Sequence, residues 1–139
     1  MRTFITRGLL VATSLTLVTA CGDDKKVLKK ADYIKQADAI CAAAEKESDG
    51  LGDPETEAEY LKLIPKAAKI SIKSIEDVQA LGEPDIEAAK IKKLLNDYKS
   101  VFRSISKATS IKAMEPDLEK LEELGKVADD FGFVECGHG

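Results

Sequence analysis

An all-α bundle of about four antiparallel helices is the fold that this 139-residue sequence predicts. Three observations lead to it. Apolar residues recur at helical spacing through most of the chain, and no stretch alternates apolar and polar long enough to make a strand. The helical stretches are separated by short breaks of Gly, Asp, Ser and Pro. Charged residues make up 33% of the chain and are interspersed, the pattern of solvated helix faces.

The first twenty residues stand apart from that pattern. Met1 to Arg7 carries Arg2 and Arg7 and no acid. Gly8 to Val18 is apolar apart from small hydroxyl residues, and Thr19-Ala20 is a small-residue exit before Cys21. This is the order of a secretory signal peptide. The apolar run is shorter than the roughly 20 residues a membrane span needs, and Asp23 and Asp24 follow it at once. Leu17-Val18-Thr19-Ala20-Cys21 resembles the lipobox of bacterial lipoproteins. The resemblance implies cleavage between Ala20 and Cys21, a diacylglyceryl group on the Cys21 sulfur, and a further acyl chain such as palmitate on the new amine. Two or more acyl chains, at about 0.8 kcal/mol per buried methylene, hold a protein stably on a bilayer where one does not. The alternative is an ordinary cleaved signal with a chance cysteine. The lipobox reading divides the chain into a signal peptide (1–20), a lipidated tether (21–30) and a helical domain (31–139). It places the domain on the extracytoplasmic face of a cell membrane. Gly22 after the cysteine, where sorted lipoproteins of two-membraned cells can carry Asp, permits an outer-membrane location by the same resemblance.

Removing residues 1–20 takes Arg2 and Arg7 away and leaves 19 basic against 25 acidic residues, a net charge of −6. With no basic excess to neutralise phosphates, nucleic acid is excluded as a partner. The remaining 119 residues are one domain by size. Gly22 to Lys30 reaches about 30 Å at most when extended, so the domain is expected close to the membrane. Lys25, Lys26, Lys29 and Lys30 are candidates for head-group contact, weighed against a plain solvated tether.

The first helix is expected over about Ala31 to Ser48, with Tyr33, Ile34, Ala37, Ile40, Cys41 and Ala44 on one stripe. The loop Ser48-Asp49-Gly50-Leu51-Gly52 ends it. For the second helix, Asp53 reads as N-cap and Pro54 as the first helical residue, and the apolar stripe runs from Leu61 to Leu81. Pro65 inside the stripe predicts a kink, or a break into two pieces, near Ile64. Gly82 and Pro84 end this helix. The third, about Asp85 to Thr109, has the strongest amphipathic signal: Ile91, Leu94, Leu95, Tyr98, Val101, Phe102 and Ile105. The fourth, about Pro116 to Phe131, turns Leu118, Leu121, Leu124, Ala128 and Phe131 inward, and Gly132 suits a left-handed C-cap.

With Cys21 lipidated, Cys41 and Cys136 remain, and an even remainder in an exported chain suggests a disulfide. In an up-down-up-down bundle the fourth helix ends level with the start of the first. Cys41 lies about 15 Å along that first helix. The four residues Phe133 to Cys136 reach about 13 Å when extended, enough to run back from Gly132 to Cys41. Two reduced, separately buried cysteines are the alternative. The segment from Tyr33 to Cys41 together with Gly132-Phe133-Val134-Glu135-Cys136-Gly137 resembles a broad group of small exported bacterial lipoproteins of uncharacterised function. That resemblance implies a disulfide-stapled helical domain and carries no activity with it.

No catalytic constellation emerges. Ser104, Ser106, Thr109 and Ser110 have no positioned His, since His138 is the single histidine and sits at the terminus. The pairs Glu122-Glu123 and Asp129-Asp130 point to different sides of a helix. Cys136-Gly137-His138 offers too few ligands for zinc, which takes three or four. Asp38, beside the first helix stripe, reads either as a buried hydrogen-bond anchor or ligand contact, or as a solvated carboxylate or local cap. No cofactor, metal or enzymatic activity is expected. The leading expectation is a non-enzymatic, membrane-anchored module engaging an envelope protein or polymer. The second is a binding protein for a small apolar ligand held in the bundle core, which requires an apolar pocket between helices.

Overall fold

A computed structural model describes residues 26–137. Its elements are β1 (Val27–Leu28), α1 (Lys30–Asp49), α2 (Glu57–Ala80), β2 (Glu83–Pro84), α3 (Ala88–Ile105) and α4 (Ile111–Phe131). Each helix packs directly on the next in sequence, α1 on α2, α2 on α3 and α3 on α4. The core follows the helical stripes: Tyr33 and Ala37 from α1, Ile75 and Val78 from α2, Ile91, Leu94, Leu95, Val101 and Ile105 from α3, Met114, Leu124, Ala128 and Phe131 from α4. Every apolar residue of the α3 stripe is either buried or packed against that cluster. The antiparallel helical bundle is therefore present, and a disulfide joins Cys41 to Cys136. No helix among the described residues is long and apolar enough to cross a membrane.

Helix ends differ from the sequence expectation where a local hydrogen bond competes. Thr56, and not Asp53, caps α2. Its side chain accepts from the Glu59 N–H at 3.2 Å, while the Glu59 carboxylate accepts from the N–H groups of Thr56 (3.2 Å) and Glu55 (3.0 Å). This reciprocal capping box satisfies more free donors than Asp53 alone could. Of the kink or break expected at Pro65, the break does not occur: α2 is continuous through this exposed residue, and it lies against α3. α4 starts at Ile111, capped by Ser110, whose hydroxyl accepts from the Ala113 N–H at 3.2 Å. Met114 is the first buried residue of α4, and Leu118 is 44% exposed, against the expectation that it faces inward, because no neighbouring segment covers that part of the stripe.

α3 begins at Ala88 because Pro84 and Asp85 have other duties. Val27 and Leu28 pair in parallel with Glu83 and Pro84, held by Glu83 N–H to the Lys26 carbonyl (2.8 Å) and Asp85 N–H to the Leu28 carbonyl (2.7 Å). The Asp85 carboxylate accepts the Lys30 N–H at 2.8 Å and so caps α1, whose own N-cap Lys29 makes no side-chain cap bond. Desolvation pushes the Asp85 carboxyl upward, but the Lys30 N–H and the Lys29 ammonium 3.3 Å away outweigh it and leave it below the usual range. The last part of the expected tether is thus folded onto the domain. Lys30 pairs with Glu87 at 3.2 Å and lies over the Phe131 ring at 4.2 Å.

Candidate functional site

Residues 132–137 form a tail that settles how α1 meets α4. Gly132 (φ 105°) ends α4 in the left-handed conformation, with its N–H donating to the Ala128 and Asp129 carbonyls. The chain then turns back. Phe133 buries against Tyr33 (ring centroids 6.2 Å apart) and Phe131 (5.1 Å). Cys136 reaches Cys41 of α1, with an S–S distance of 2.05 Å. Gly137 lies on α4: a Cβ at Gly125 would stand 2.9 Å from the Gly137 carbonyl oxygen. A glycine inside a helix costs about 1 kcal/mol relative to alanine, and here it admits the tail.

Asp38 is the polar anchor of this tail. Its carboxylate accepts three successive backbone N–H groups, from Val134 (3.1 Å), Glu135 (3.0 Å) and Cys136 (3.3 Å). Successive N–H groups converging on one carboxylate form a small anion nest with charge-assisted bonds. Of the readings of Asp38, the hydrogen-bond anchor is present, but the carboxylate is only half-buried and not buried as expected, because it sits at the surface where the tail crosses α1. The spacing Asp38-x-x-Cys41 puts the acceptor and the sulfur on the same face of α1, so one helix turn holds the tail twice.

Next to the tail lies a half-open cleft of about 340 Å³. Ile75 and Val78 of α2, Leu94, Leu95, Tyr98 and Phe102 of α3, Ala128 of α4 and Phe133 of the tail line it, and the disulfide forms part of its wall. Its edge carries Glu45, Ser48, Ser71, Ser74 and Glu135. The opening exists because small residues occupy the positions that would fill it: Ala44 and Ser48 on α1, Ser71 and Ser74 on α2, Ala128 on α4. Burial, and then the nearby Asp129, push the Tyr98 hydroxyl up to about 12, so it stays neutral. Tyr33 is likewise pushed up to about 12, by burial and then by Glu83.

Two other hollows differ in chemistry. One of about 330 Å³ beside β2 is spanned by the Gln79–Asn96 hydrogen bond (3.0 Å) and carries Lys26 and Lys92. Another, of about 530 Å³, is a shallow polar depression with Arg103, Ser104, Lys107 and Asp117. Two of the serines weighed as nucleophiles serve the backbone: Ser106 donates to the Arg103 carbonyl at 2.9 Å and Ser110 caps α4. No group of three or more His, Cys, Asp or Glu that could hold a metal occurs among the described residues.

Of the residues the sequence singled out, Cys41, Cys136 and Asp38 come together. Ala20, Cys21 and His138 lie outside the described residues. Sequence reasoning missed the cleft. Its signal was present in Ser71 and Ser74, one turn apart beside the Ile75–Val78 stripe, where a tightly packed helix would carry larger aliphatic residues. Compared with known proteins, the chain matches no family model, no curated protein and no solved structure.

Proposed function

We propose that this chain is a bacterial envelope lipoprotein, tethered through acyl chains on Cys21, whose bundle is a non-enzymatic binding module for a small apolar ligand. The observation that carries the binding reading is the apolar cleft between α1, α2, α3 and the tail. Ligand sites are concave, mostly apolar, rimmed by a few polar groups and about 300–1,000 Å³ in volume. The cleft meets each of these. It supports the reading ranked second from sequence over a purely surface-to-surface contact, because a bundle serving only as a spacer gains nothing from an opening in its core.

The anchor reading rests on the lipobox-like Leu17–Cys21 segment. Its consequence is close placement. The fold begins by Lys26, so only residues 22–25 separate Cys21 from it, a reach of about 17 Å when extended. Intact mass of the exported protein tests the anchor, with loss of residues 1–20 and added acyl mass as the expected result.

The binding reading is tested on the chain from Gly22 onward, which contains every described element. Decanol is titrated and backbone amide shifts are mapped by NMR. Shifts concentrated at Ile75, Leu95, Phe102 and Phe133 are expected. Their absence, or shifts concentrated at Gln79 and Asn96 instead, would refute it.

A further inference from the structure

We infer that the cleft selects amphiphiles whose head is a protonated amine over those whose head is a carboxylate. This rests on the binding reading above and adds the ligand's charge to it. The cleft is lined by no Lys, Arg or His, although 33% of the chain is charged. Its charged lining is two carboxylates, Glu45 from α1 and Glu135 from the tail. Neither is in an ion pair among the described residues, whereas Glu76, Asp77, Asp85, Glu87, Asp97 and Glu122 all are.

The hydrogen-bonding character of the edge points the same way. Ionised carboxylates only accept. The Ser74 hydroxyl spends its proton on the Ser71 carbonyl at 2.9 Å, so its oxygen is left as an acceptor. An ammonium head, with three donors and no acceptor, complements such an edge. A carboxylate head would meet two like charges and few donors. The other hollows carry cations, Lys26 and Lys92 in one, Arg103 and Lys107 in another and Lys73 in a third, so a charged lining made of carboxylates alone distinguishes this cleft. The mature chain's net charge of −6 adds long-range attraction for a cation.

The tail gives the edge a fixed geometry. The Glu135 N–H is held by Asp38 at 3.0 Å and its neighbour Cys136 is bonded to Cys41, so the backbone carrying the second carboxylate is pinned to α1 within a turn of Glu45.

The test compares dodecylamine, dodecanol and dodecanoate, each below its micelle concentration, on the chain from Gly22 onward. Affinities come from calorimetry and sites from amide shifts. Exposed charge pairs contribute a few-fold each, so two predict that the amine binds about tenfold tighter than the alcohol. The acid is expected to bind more weakly than either. Glu45→Gln with Glu135→Gln should remove the amine's advantage and leave the alcohol's affinity within about twofold. Equal or tighter binding of the acid overturns the inference, as does an amine preference that survives both substitutions or shifts scattered over the acidic surface. Failure of all three to bind refutes the cleft itself, and the alcohol alone distinguishes that case from a wrong choice of head group.

Discussion

Between α2 and α3, two continuous apolar stripes meet along the helices, Ile75 and Val78 against Ile91, Leu94 and Leu95. Between α1 and α4 lies the tail. One disulfide, one carboxylate and one phenylalanine hold it, and a glycine in α4 makes room for it. The first seam spreads its hold over many apolar contacts along two helices. The second concentrates its hold in a few groups, and the cleft opens beside it. The difference teaches where adaptability sits in a small bundle. The cleft lies where the two seams meet, walled by Ile75, Val78, Leu94 and Leu95 of the first and by Phe133 and the disulfide of the second, and small residues leave it open.

The largest expected effect attacks the second seam. Cys41→Ser with Cys136→Ser removes a bond closing a separation of 95 residues. The chain-entropy model gives a loss of about 4–5 kcal/mol. Denaturant unfolding checks it, and a loss comparable to that of a surface substitution would show that the tail is held mainly by Phe133 and Asp38. Against this stands the first seam. Ile91→Ala, at a residue 1% exposed, should cost about 2–4 kcal/mol and leave tail amide exchange unchanged relative to global stability.

High pH reaches both seams at once. The folded-state values of Tyr33 and Tyr98 lie above their unfolded value, so their contribution is fully present below about pH 10 and is lost as pH rises toward about 12. Each is expected to withdraw on the order of 2 kcal/mol across that range. An absorbance titration of tyrosinate, run beside an unfolding series, checks it. Asp38→Ala should cost about 1–3 kcal/mol by stripping the acceptor from three N–H groups, and Asp38→Asn less. Faster exchange confined to Val134, Glu135 and Cys136 is the signature. Smallest is Gly125→Ala. The gain in helix propensity, about 1 kcal/mol, opposes a Cβ placed 2.9 Å from the Gly137 carbonyl. Global stability should change by less than about 1 kcal/mol while the tail end shifts, visible at the Gly137 amide.

Legibility followed the kind of interaction. The α3 stripe was readable in full because helical periodicity reports burial directly, and the return of the tail to Cys41 was readable because chain reach and helix rise are simple lengths. Helix starts were less readable. Asp53, Thr56, Pro116 and Ser110 all carry start signals, and what chose among them was which side chain accepted a free N–H of the first turn. Leu118 was misplaced because periodicity assigns a face without showing whether a neighbour covers that part of it. The cleft was not readable, since an opening depends on the facing residues of five segments and no single stretch records it.

Local order alone determined that this chain forms helices, which faces they turn inward, and that its last residues could reach back to the first helix. These follow from one-dimensional spacing and the fixed geometry of a turn. Tertiary structure alone decided that Asp85 caps a helix 55 residues away, that Asp38 anchors the tail, and that small residues on separate helices leave one shared opening. Those outcomes need groups distant in the chain to be brought together, and only the packed bundle brings them together.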